Sequence, residues 1–176
     1  MELLGRIVRL RPLAAEDLTK MVHWNTDEEV QLYVDADFPE KLGELQHWFS
    51  QSFPNRQYQI FAIETSTGEL IGDLELDHIC WNRQEAELRI RLGEKAYWGQ
   101  GYGSDAVRQM INYCFNDKGF RRLYLRVYAF NQRAIRCYEK NGFKQIGILH
   151  SNRENWKDII LMEIKAPAVV RQRSLN

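Results

Sequence analysis

Apolar residues recur along this chain at two spacings, one typical of strands and the other of helices. Residues 7–11 alternate apolar and basic side chains and stop at Pro12, which predicts a first strand. The same alternation predicts further strands at 59–63, 70–76, 86–92, 123–127, 145–149 and 159–165, the first two joined as a hairpin by a turn cluster at 66–69. Helical spacing predicts helices at 14–24, after Pro39, at 104–116 and at 134–140. The resulting order, β-α-α-β-β-β-α-β-α-β-β, indicates an α/β fold with a mixed sheet.

Length and charge narrow the class of protein. A chain of 176 residues with 44% hydrophobic content suits one globular domain. Its 24 basic and 24 acidic residues give a formal net charge of zero. A dedicated nucleic-acid binder carries a basic field, so we expect no nucleic-acid partner, although basic clusters at 89–91 and 121–122 leave that alternative open.

The cysteines and the beginning of the chain bear on compartment. The three cysteines form no C-x-x-C pair and have no histidine at metal-ligand spacing, so no metal is expected. An odd number of cysteines in a chain of this size suits a reducing cytoplasm. The first residues turn charged before any signal-peptide core forms, and no apolar run approaches the roughly 20 residues of a membrane span. We therefore expect a cytoplasmic protein without a membrane partner.

A glycine-rich segment at 97–104, with the sequence YWGQGYGS, separates a predicted strand from a predicted helix. Its three alternate glycines permit positive φ and close backbone approach, and its amides can bind a phosphate at a helix N-terminus. A tight turn without a ligand is the alternative. A dinucleotide fingerprint would require glycine at Ser104, and no Gly-Lys-Ser/Thr follows for a Walker loop.

A second motif, NQRAIRCYEKNGF at 131–143, gives the first one a context. Together the two motifs resemble those of the GNAT N-acetyltransferases. Ala86-Glu87-Leu88 and Tyr97-Trp98-Gly99 are similar to the branch that contains ribosomal-protein N-terminal acetyltransferases and spermidine acetyltransferases. The resemblance extends from residue 7 to about 164. One departure is Trp98, which stands where the family usually has Gln or Arg.

This resemblance implies a fold, a co-substrate and a set of residues. It implies one GNAT domain at 1–165 with a mostly antiparallel sheet flanked by helices, followed by a tail at 166–176 that we expect to be mobile. It also implies acetyl-CoA, with its pyrophosphate on the glycine-rich loop and its pantetheine arm paired to a strand. The cofactor-binding residues implied are Ile90, Arg91, Leu92, Trp98, Gly99, Gln100, Gly101, Tyr102, Gly103, Ser104 and Asn131.

Acyl transfer from a thioester to an amine needs a proton donor and a proton acceptor. By resemblance Tyr138 is the donor, since a phenol with a pKa near 10 can protonate a thiolate of roughly 8.5. The attacking amine must be neutral, and Glu87 is the best candidate to deprotonate it, with Asp77 and His78 as further candidates. An ion pair of Glu87 with Arg89 or Arg91 is the alternative interpretation.

The acceptor is predicted from an acidic segment at 27–44 that contains one basic residue. In the family this region lines the acceptor cleft, where negative charge would concentrate a cation. The predicted substrate-binding residues are Glu28, Tyr33, Asp35, Asp77 and His78. The expected function is direct transfer of an acetyl group to a primary amine in a ternary complex, with a polyamine slightly favoured over a protein N-terminus. The alternative is an inactive CoA-binding sensor or scaffold, and a homodimer through the apolar residues 159–161 is possible in either case.

Overall fold

A computed structural model describes residues 2–34, 38–52, 55–151 and 157–167, and within these the strands form one eight-stranded sheet. Its order is β1-β2-β3-β4-β5-β6-β8-β7. The strands are β1 (Leu3–Leu4), β2 (Val8–Pro12), β3 (Gln59–Thr65), β4 (Leu70–Cys80), β5 (Glu85–Leu92), β6 (Arg122–Tyr128), β7 (Lys144–Leu149) and β8 (Ile159–Lys165). The predicted hairpin is the β3–β4 pair. The predicted mixed α/β fold is confirmed.

Five α-helices accompany the sheet in the described part of the chain: α1 (Leu18–Thr26), α2 (Glu28–Gln31), α3 (Leu42–Ser52), α4 (Tyr102–Asn112) and α5 (Gln132–Lys140). The helix predicted at 104–116 begins two residues earlier, and its last turn, Tyr113–Asp117, is π-helical. The short α2 was not predicted, because four residues are too few to show a helical period. Its N-terminus is capped by Asp27, whose carboxylate accepts from the amides of Glu29 and Val30.

The two faces of the sheet are covered by different helices. Side chains alternate along β3, so Phe61 and Ile63 enter the core under α4 and α5, while Ile60 and Ala62 enter the core under α1 and α3. Leu18, Met21 and Leu45 complete this second core. Helices on both faces thus fix the position of the strands between them.

The sheet splits open between the parallel strands β5 and β6. All other neighbouring strands in the described sheet are antiparallel. The β5–β6 ladder runs only from Glu85↔Arg122 to Glu87↔Tyr124, although β5 continues to Leu92 and β6 to Tyr128. The two strands therefore diverge beyond Glu87, and no described strand pairs with the second half of β5 on that side.

The opposite end of the sheet corrects one expectation and leaves another untested. Residues 159–161 belong to β8, which lies between β6 and β7, so they are interior and not an edge. The edge strand is β7, where Ile146, Ile148 and Leu149 are exposed. The predicted mobile tail lies outside the described residues except for 166–167. No helix among the described residues is both long and apolar enough to span a membrane.

Candidate active site

The divergence of β5 and β6 produces a cavity of about 390 Å³. Its walls come from the second half of β5, the end of β6, the glycine-rich loop, α5 and the segment that follows α2. Two regions that are distant in sequence, the loop at 97–104 and the helix at 132–140, therefore face the same space. This agrees with the pairing of motifs that the sequence indicated.

The glycine-rich loop has the backbone of an anion-binding turn. Gly99 and Gly101 have φ of 73° and 93°, in the left-handed region that favours glycine. Gly101 is the N-cap of α4, so the first amides of α4 have no acceptor within the helix. Gly103 lies inside α4, outside the left-handed region, so only two of the three glycines adopt the predicted positive φ. The free amides and the helix dipole suit a pyrophosphate.

The first side chains of α4 are held by contacts with other elements. The carboxylate of Asp105, in the first turn of α4, accepts from the amides of Ile7 and Val8 at 2.7 and 3.1 Å. It thereby faces β2 and not the loop. Ser104 accepts from the side chain of Asn141 at 3.0 Å, which ties α4 to the end of α5.

Trp98 attaches the loop to β5. Its indole N–H donates to the carbonyl of Leu92 at 2.7 Å, and the guanidinium of Arg133 lies 3.9 Å from its ring centroid. Tyr33 meets the same ring edge-on at 5.7 Å. Trp98 therefore packs the glycine-rich loop against β5 and against Tyr33.

Helix α5 brings Asn131 and Tyr138 to the cavity. Asn131 caps the helix, its side-chain oxygen accepting from the amide of Ala134 at 3.1 Å. Tyr138 is 5% exposed, and burial raises the pKa of its hydroxyl well above the ordinary value. Arg136 and Lys140 also line the cavity and add positive charge on this side.

One face of β4 and β5 carries a row of six charged side chains, and all of them except Asp77 line the floor of the cavity. In the register of the two strands, Asp73 lies opposite Arg91, Glu75 opposite Arg89, and Asp77 opposite Glu87. Side chains two residues apart share a face of a strand, so all six point the same way. The sequence alone did not reveal these cross-strand pairs.

Arg91 is held by a buried ion pair. Its Nε and Nη2 lie 2.8 and 2.7 Å from Oδ2 of Asp73, and Nη1 donates to Oδ1 of Asn25 at 2.6 Å. The guanidinium also lies 4.7 Å from the ring centroid of Phe38. Burial raises the pKa of Asp73, and the charge of Arg91 opposes that rise. The side chain of Arg91 is therefore held by Asp73 and Asn25, which leaves only its backbone for the predicted pantetheine contact.

Glu87 is contacted by two arginines and a histidine. Arg126 donates to Oε1 at 3.0 Å, Arg89 donates to Oε2 at 3.3 Å, and Nδ1 of His78 lies 3.2 Å from Oε2. Burial alone would raise the pKa of Glu87, but the charges and hydrogen bonds of Arg89 and Arg126 hold it below its ordinary value. The alternative interpretation of Glu87 as a partner of Arg89 describes this geometry, whereas Arg91 is paired elsewhere. A carboxylate held so firmly in its charged form is a weak proton acceptor.

Glu75 lies nearby and has the opposite properties. It is 2% exposed, lines the cavity, and its Oε1 has no hydrogen-bond partner among the described residues. Burial, followed by the negative charge of Asp73, raises the pKa of Glu75 to about 8, against the opposing effects of Arg89, Arg91 and the hydroxyl of Tyr58. Sequence reasoning missed this residue. The available signal was an acid at alternate positions 73, 75 and 77 of an otherwise apolar strand.

Asp77 and His78 sit at the edge of the site. Neither residue lines the cavity. The two side chains contact each other, Asp77 also contacts Arg89, and His78 also contacts Glu87. Asp77, His78 and Glu87 offer ligand atoms within 4.8 Å of one another, a geometry that would suit a metal ion. Two guanidinium groups already contact these carboxylates, which disfavours a further cation there.

The predicted acceptor residues are placed unevenly. Tyr33 lines the cavity together with Val30, Val34 and Phe38, whereas Glu28 is exposed and does not line it. Asp35 lies outside the described residues. Two other acids of the segment are used locally, because Lys95 contacts Asp27 at 2.8 Å and Glu29 at 3.1 Å.

Two predicted loop residues point away from the cavity. Gln100 is exposed and donates to the carbonyl of Ala96, and Tyr102 packs edge-on against Tyr97 at 5.0 Å. Neither side chain lines the cavity. A role for either in cofactor binding would therefore have to come from its backbone.

Known proteins show a related sequence and the same architecture. The model of the acetyltransferase (GNAT) domain family matches residues 8–144. The spermidine N(1)-acetyltransferase of Escherichia coli strain K12 is 30% identical over 142 residues, covering 81% of this chain and 75% of the relative. The aminoglycoside N(6')-acetyltransferase type 1 of Klebsiella pneumoniae is 26% identical over 152 residues, covering 80% of this chain and 75% of the relative. The crystal structure of the Vibrio cholerae spermidine N-acetyltransferase in complex with CoA and spermine has a TM-score of 0.83 at 24% identity, covering 90% of this chain and 95% of the other.

The chain belongs to the GNAT acetyltransferase family. It is an N-acetyltransferase that uses acetyl-CoA as co-substrate. The site fits that co-substrate, since the cavity combines amides that have no acceptor within helix α4 with an edge of β5 that no described strand pairs with.

Proposed function

We propose that this protein transfers the acetyl group of acetyl-CoA directly to a primary amine, with Glu75 accepting a proton from the amine and Tyr138 donating one to the departing thiolate. The observation that carries this proposal is that both groups border one cavity, between the diverging strands. Acetyl-CoA supplies the activated acetyl group as a thioester. The remaining chemistry is proton transfer and positioning by the chain.

Glu75 suits the first proton transfer because its pKa, raised to about 8, lies closer to the pKa of an amine than that of an ordinary carboxylate does. Deprotonating an amine of pKa about 10.4 at pH 7 costs roughly 4.6 kcal/mol, and an α-amine of about 7.8 costs roughly 1. A buried carboxylate without a hydrogen-bond partner on Oε1 can receive that proton without breaking an existing ion pair. Glu87 would have to give up the hydrogen bonds from Arg89 and Arg126.

Tyr138 suits the second role because its hydroxyl borders the cavity and is available as a donor. Burial raises the pKa of the hydroxyl, so Tyr138 stays protonated over the whole physiological range. It can donate a hydrogen bond to the sulfur as negative charge develops there and deliver its proton as the C–S bond breaks. Such general acid catalysis typically contributes about 10²–10⁴ in rate.

The cofactor-binding residues remain a proposal based on the resemblance and this geometry. The amides at 99–104 would hold the pyrophosphate, the backbone at 90–92 would pair with the pantetheine arm, and Asn131 would contact the same arm. Trp98 would act by holding the loop against β5, as its bond to Leu92 supports. Arg136 and Lys140 line the same side and would add attraction for phosphate.

The acceptor belongs to one of two classes. The relatives act, by their names, on spermidine and on aminoglycosides, which supports a small cationic amine. A peptide N-terminus is the other class. In either case Tyr33 would contact the acceptor from the cavity wall, and Glu28, Asp77 and His78 would act only at its margin.

Thiol release from acetyl-CoA, followed with a panel of amines for wild type and Tyr138→Phe, tests this function. The expected result is turnover with at least one amine class and a fall of at least tenfold in kcat for the variant, with CoA affinity unchanged by calorimetry. Tight CoA binding without turnover for any amine would overturn the proposal and favour a CoA-binding sensor. Failure to bind CoA would contradict the site itself.

Two further proposals concern the state of the protein in the cell. We propose that it forms a homodimer through the edge strand β7, because Ile146, Ile148 and Leu149 are each 45–51% exposed there. Sedimentation of wild type and an Ile146→Lys/Ile148→Lys variant tests this, and a monomeric wild type would contradict it. A cytoplasmic location remains a prediction from the unpaired cysteines.

A further inference from the structure

The hydroxyl of Tyr58 is a buried polar group close to Glu75. Its oxygen has no hydrogen-bond partner among the described residues, and the same holds for Oε1 of Glu75. Burying a polar group without a partner is unfavourable, so buried polar groups in proteins are nearly always satisfied. Two such groups in one small region therefore suggest that they serve each other.

The strand register brings Tyr58 towards Glu75. Ile60 lies directly opposite Glu75 in the β3–β4 ladder. The amide of Ile79 donates to the carbonyl of Gln57 at 3.0 Å, so the pairing of the two segments continues past the first residue of β3. Tyr58 is two residues from Ile60 and shares its face of the sheet, as a diagonal neighbour within reach of Glu75.

The ring of Tyr58 is held independently of its hydroxyl. Trp48 of α3 meets this ring edge-on, with 6.1 Å between the ring centroids. A phenylalanine would keep that contact, because the hydroxyl takes no part in it. Packing therefore accounts for the ring at this position but not for the oxygen.

We propose that the hydroxyl of Tyr58 donates a hydrogen bond to the ionised carboxylate of Glu75 and thereby holds Glu75 in the form that can accept a proton. This inference rests on the proposed function, in which Glu75 takes the proton of the amine. The bond forms as Glu75 loses its proton, since a hydroxyl can turn towards the new charge. Tyr58 does not line the cavity, so it acts on the reaction only through Glu75, as a positioning residue.

The protonation of the two groups is already linked. Burial, and then the negative charge of Glu75, raises the pKa of Tyr58, so Tyr58 stays protonated and available as a donor. Burial and Asp73 raise the pKa of Glu75 to about 8, and the hydroxyl of Tyr58 is among the groups that oppose this rise. The charged groups on the face around Glu75 are Asp73 and Asp77 on β4 and Glu87, Arg89 and Arg91 on β5. Tyr58→Phe leaves all of them in place.

Stability provides a test that needs no substrate. Tyr58→Phe removes the hydroxyl and keeps the ring, and Tyr113→Phe, at a buried tyrosine of the other core, is the matched control. At pH 6 Glu75 is protonated in the folded protein, so Tyr58→Phe should not lower the urea midpoint. At pH 9 Glu75 is charged, and the variant should unfold with an equilibrium constant about fivefold larger than that of wild type.

The control and the contrary results follow from the same measurement. Tyr113→Phe should change the midpoint equally at both pH values. An equal effect of Tyr58→Phe at pH 6 and pH 9 would overturn the inference, because a structural hydroxyl does not depend on the charge of Glu75. Failure of Tyr58→Phe to fold at either pH would overturn it for the same reason.

The reaction provides the second test. Without the hydrogen bond the pKa of Glu75 should rise by about one unit, so the increase of kcat/KM with pH, measured with a primary amine that is neutral throughout, should move up by about one pH unit. At pH 6.5 kcat/KM should fall about tenfold, with the affinity for CoA by calorimetry unchanged. In a Glu75→Gln background Tyr58→Phe should cause less than a twofold further loss, since it acts through Glu75.

The outcomes separate this inference from the proposed function. An unmoved pH profile in Tyr58→Phe, together with a large loss of activity in Glu75→Gln, would overturn the inference and leave the proposed function standing. A pH-dependent loss of stability in Tyr58→Phe, together with full activity in Glu75→Gln, would support the contact and overturn the proposed role of Glu75.

Discussion

Asp73 and Glu75 stand two residues apart on the same face of β4, but only the first is paired: Oδ2 of Asp73 lies 2.7 Å from Arg91, whereas Oε1 of Glu75 has no hydrogen-bond partner in the described structure. Both are buried. Although Asp73 is paired with Arg91, its negative charge still acts on Glu75. After burial, that charge is the second cause of the raised pKa of Glu75. This arrangement gives the site a carboxyl group that can exchange a proton near neutral pH.

Replacing Glu75 should impair catalysis far more than replacing Glu87. Glu75→Gln removes the proton acceptor without changing the size of the side chain, and we expect kcat at pH 7 to fall by about 10² or more. The matched change Glu87→Gln removes an ion-pair partner of Arg89 and Arg126 and should lower kcat less than tenfold. Steady-state kinetics on both variants decide between the two acids. A larger loss for Glu87→Gln would restore Glu87 as the base.

Replacing Asp73 should move the pH dependence of the reaction. Asp73→Asn removes a negative charge that raises the pKa of Glu75, so the rise of activity with pH should begin at lower pH than in wild type. The same change leaves Arg91 buried without its carboxylate, which we expect to destabilise the fold by about 3–5 kcal/mol. Asp73→Asn/Arg91→Met removes both charges and should recover part of that stability. An unchanged pH profile in a folded variant would show that Asp73 does not influence the proton acceptor.

Glu75 should also make stability depend on pH in a direction unusual for an acid. Its pKa in the folded state, about 8, lies above the ordinary 4.5, so the folded protein binds this proton more tightly than the unfolded chain does. Its contribution to stability is therefore present below about pH 4.5 and is lost as the pH rises through 8. Glu75→Gln should raise the urea midpoint at pH 9 relative to wild type and change it little at pH 4. An equal effect at both pH values would contradict the raised pKa.

The left-handed conformation of Gly101 predicts a selective loss of cofactor affinity. Its φ is 93°, so Gly101→Ala imposes a strain of roughly 1–2 kcal/mol, although nothing lies within 4 Å of the added Cβ. The loop should then relax, and we expect the Kd for CoA to rise about tenfold. Gly43→Ala, in α3 with equally open surroundings, is the matched control and should leave the Kd unchanged. Equal Kd values for the two variants would show that the loop conformation does not govern binding.

The fold was predictable from the sequence to the extent that its elements have a clear period. The alternation at 86–92 and the helical period at 134–140 both correspond to observed elements, β5 and α5. The four-residue helix α2 was not predictable, because its formation depends on the cap at Asp27 and on packing of Val30. The order of the last two strands, with β8 inside and β7 at the edge, depends on long-range pairing that no local pattern contains.

The candidate site also contains some residues that the sequence could reveal and others that it could not. Gly99, Gly101 and Tyr138 could be found because turns and motifs leave a local signature. Glu75 could not be chosen over Glu87, since both occupy similar alternating strands in sequence. The difference lies in side-chain contacts: Arg89 stands opposite Glu75 in the register but contacts Glu87 and Asp77, and Arg126 of β6 also contacts Glu87. Oε1 of Glu75 is left without a hydrogen-bond partner among the described residues.

The most direct test of the account is the pH dependence of kcat/KM with a weakly basic primary amine that is already neutral at pH 6, so that only the enzyme titrates. The account predicts that activity rises tenfold per pH unit up to about pH 8 and then levels off, and that Glu75→Gln removes this rise while Glu87→Gln keeps it. A profile that is flat between pH 6 and 9 in the wild type, or a rise that survives in Glu75→Gln, would contradict the assignment of Glu75 as the proton acceptor.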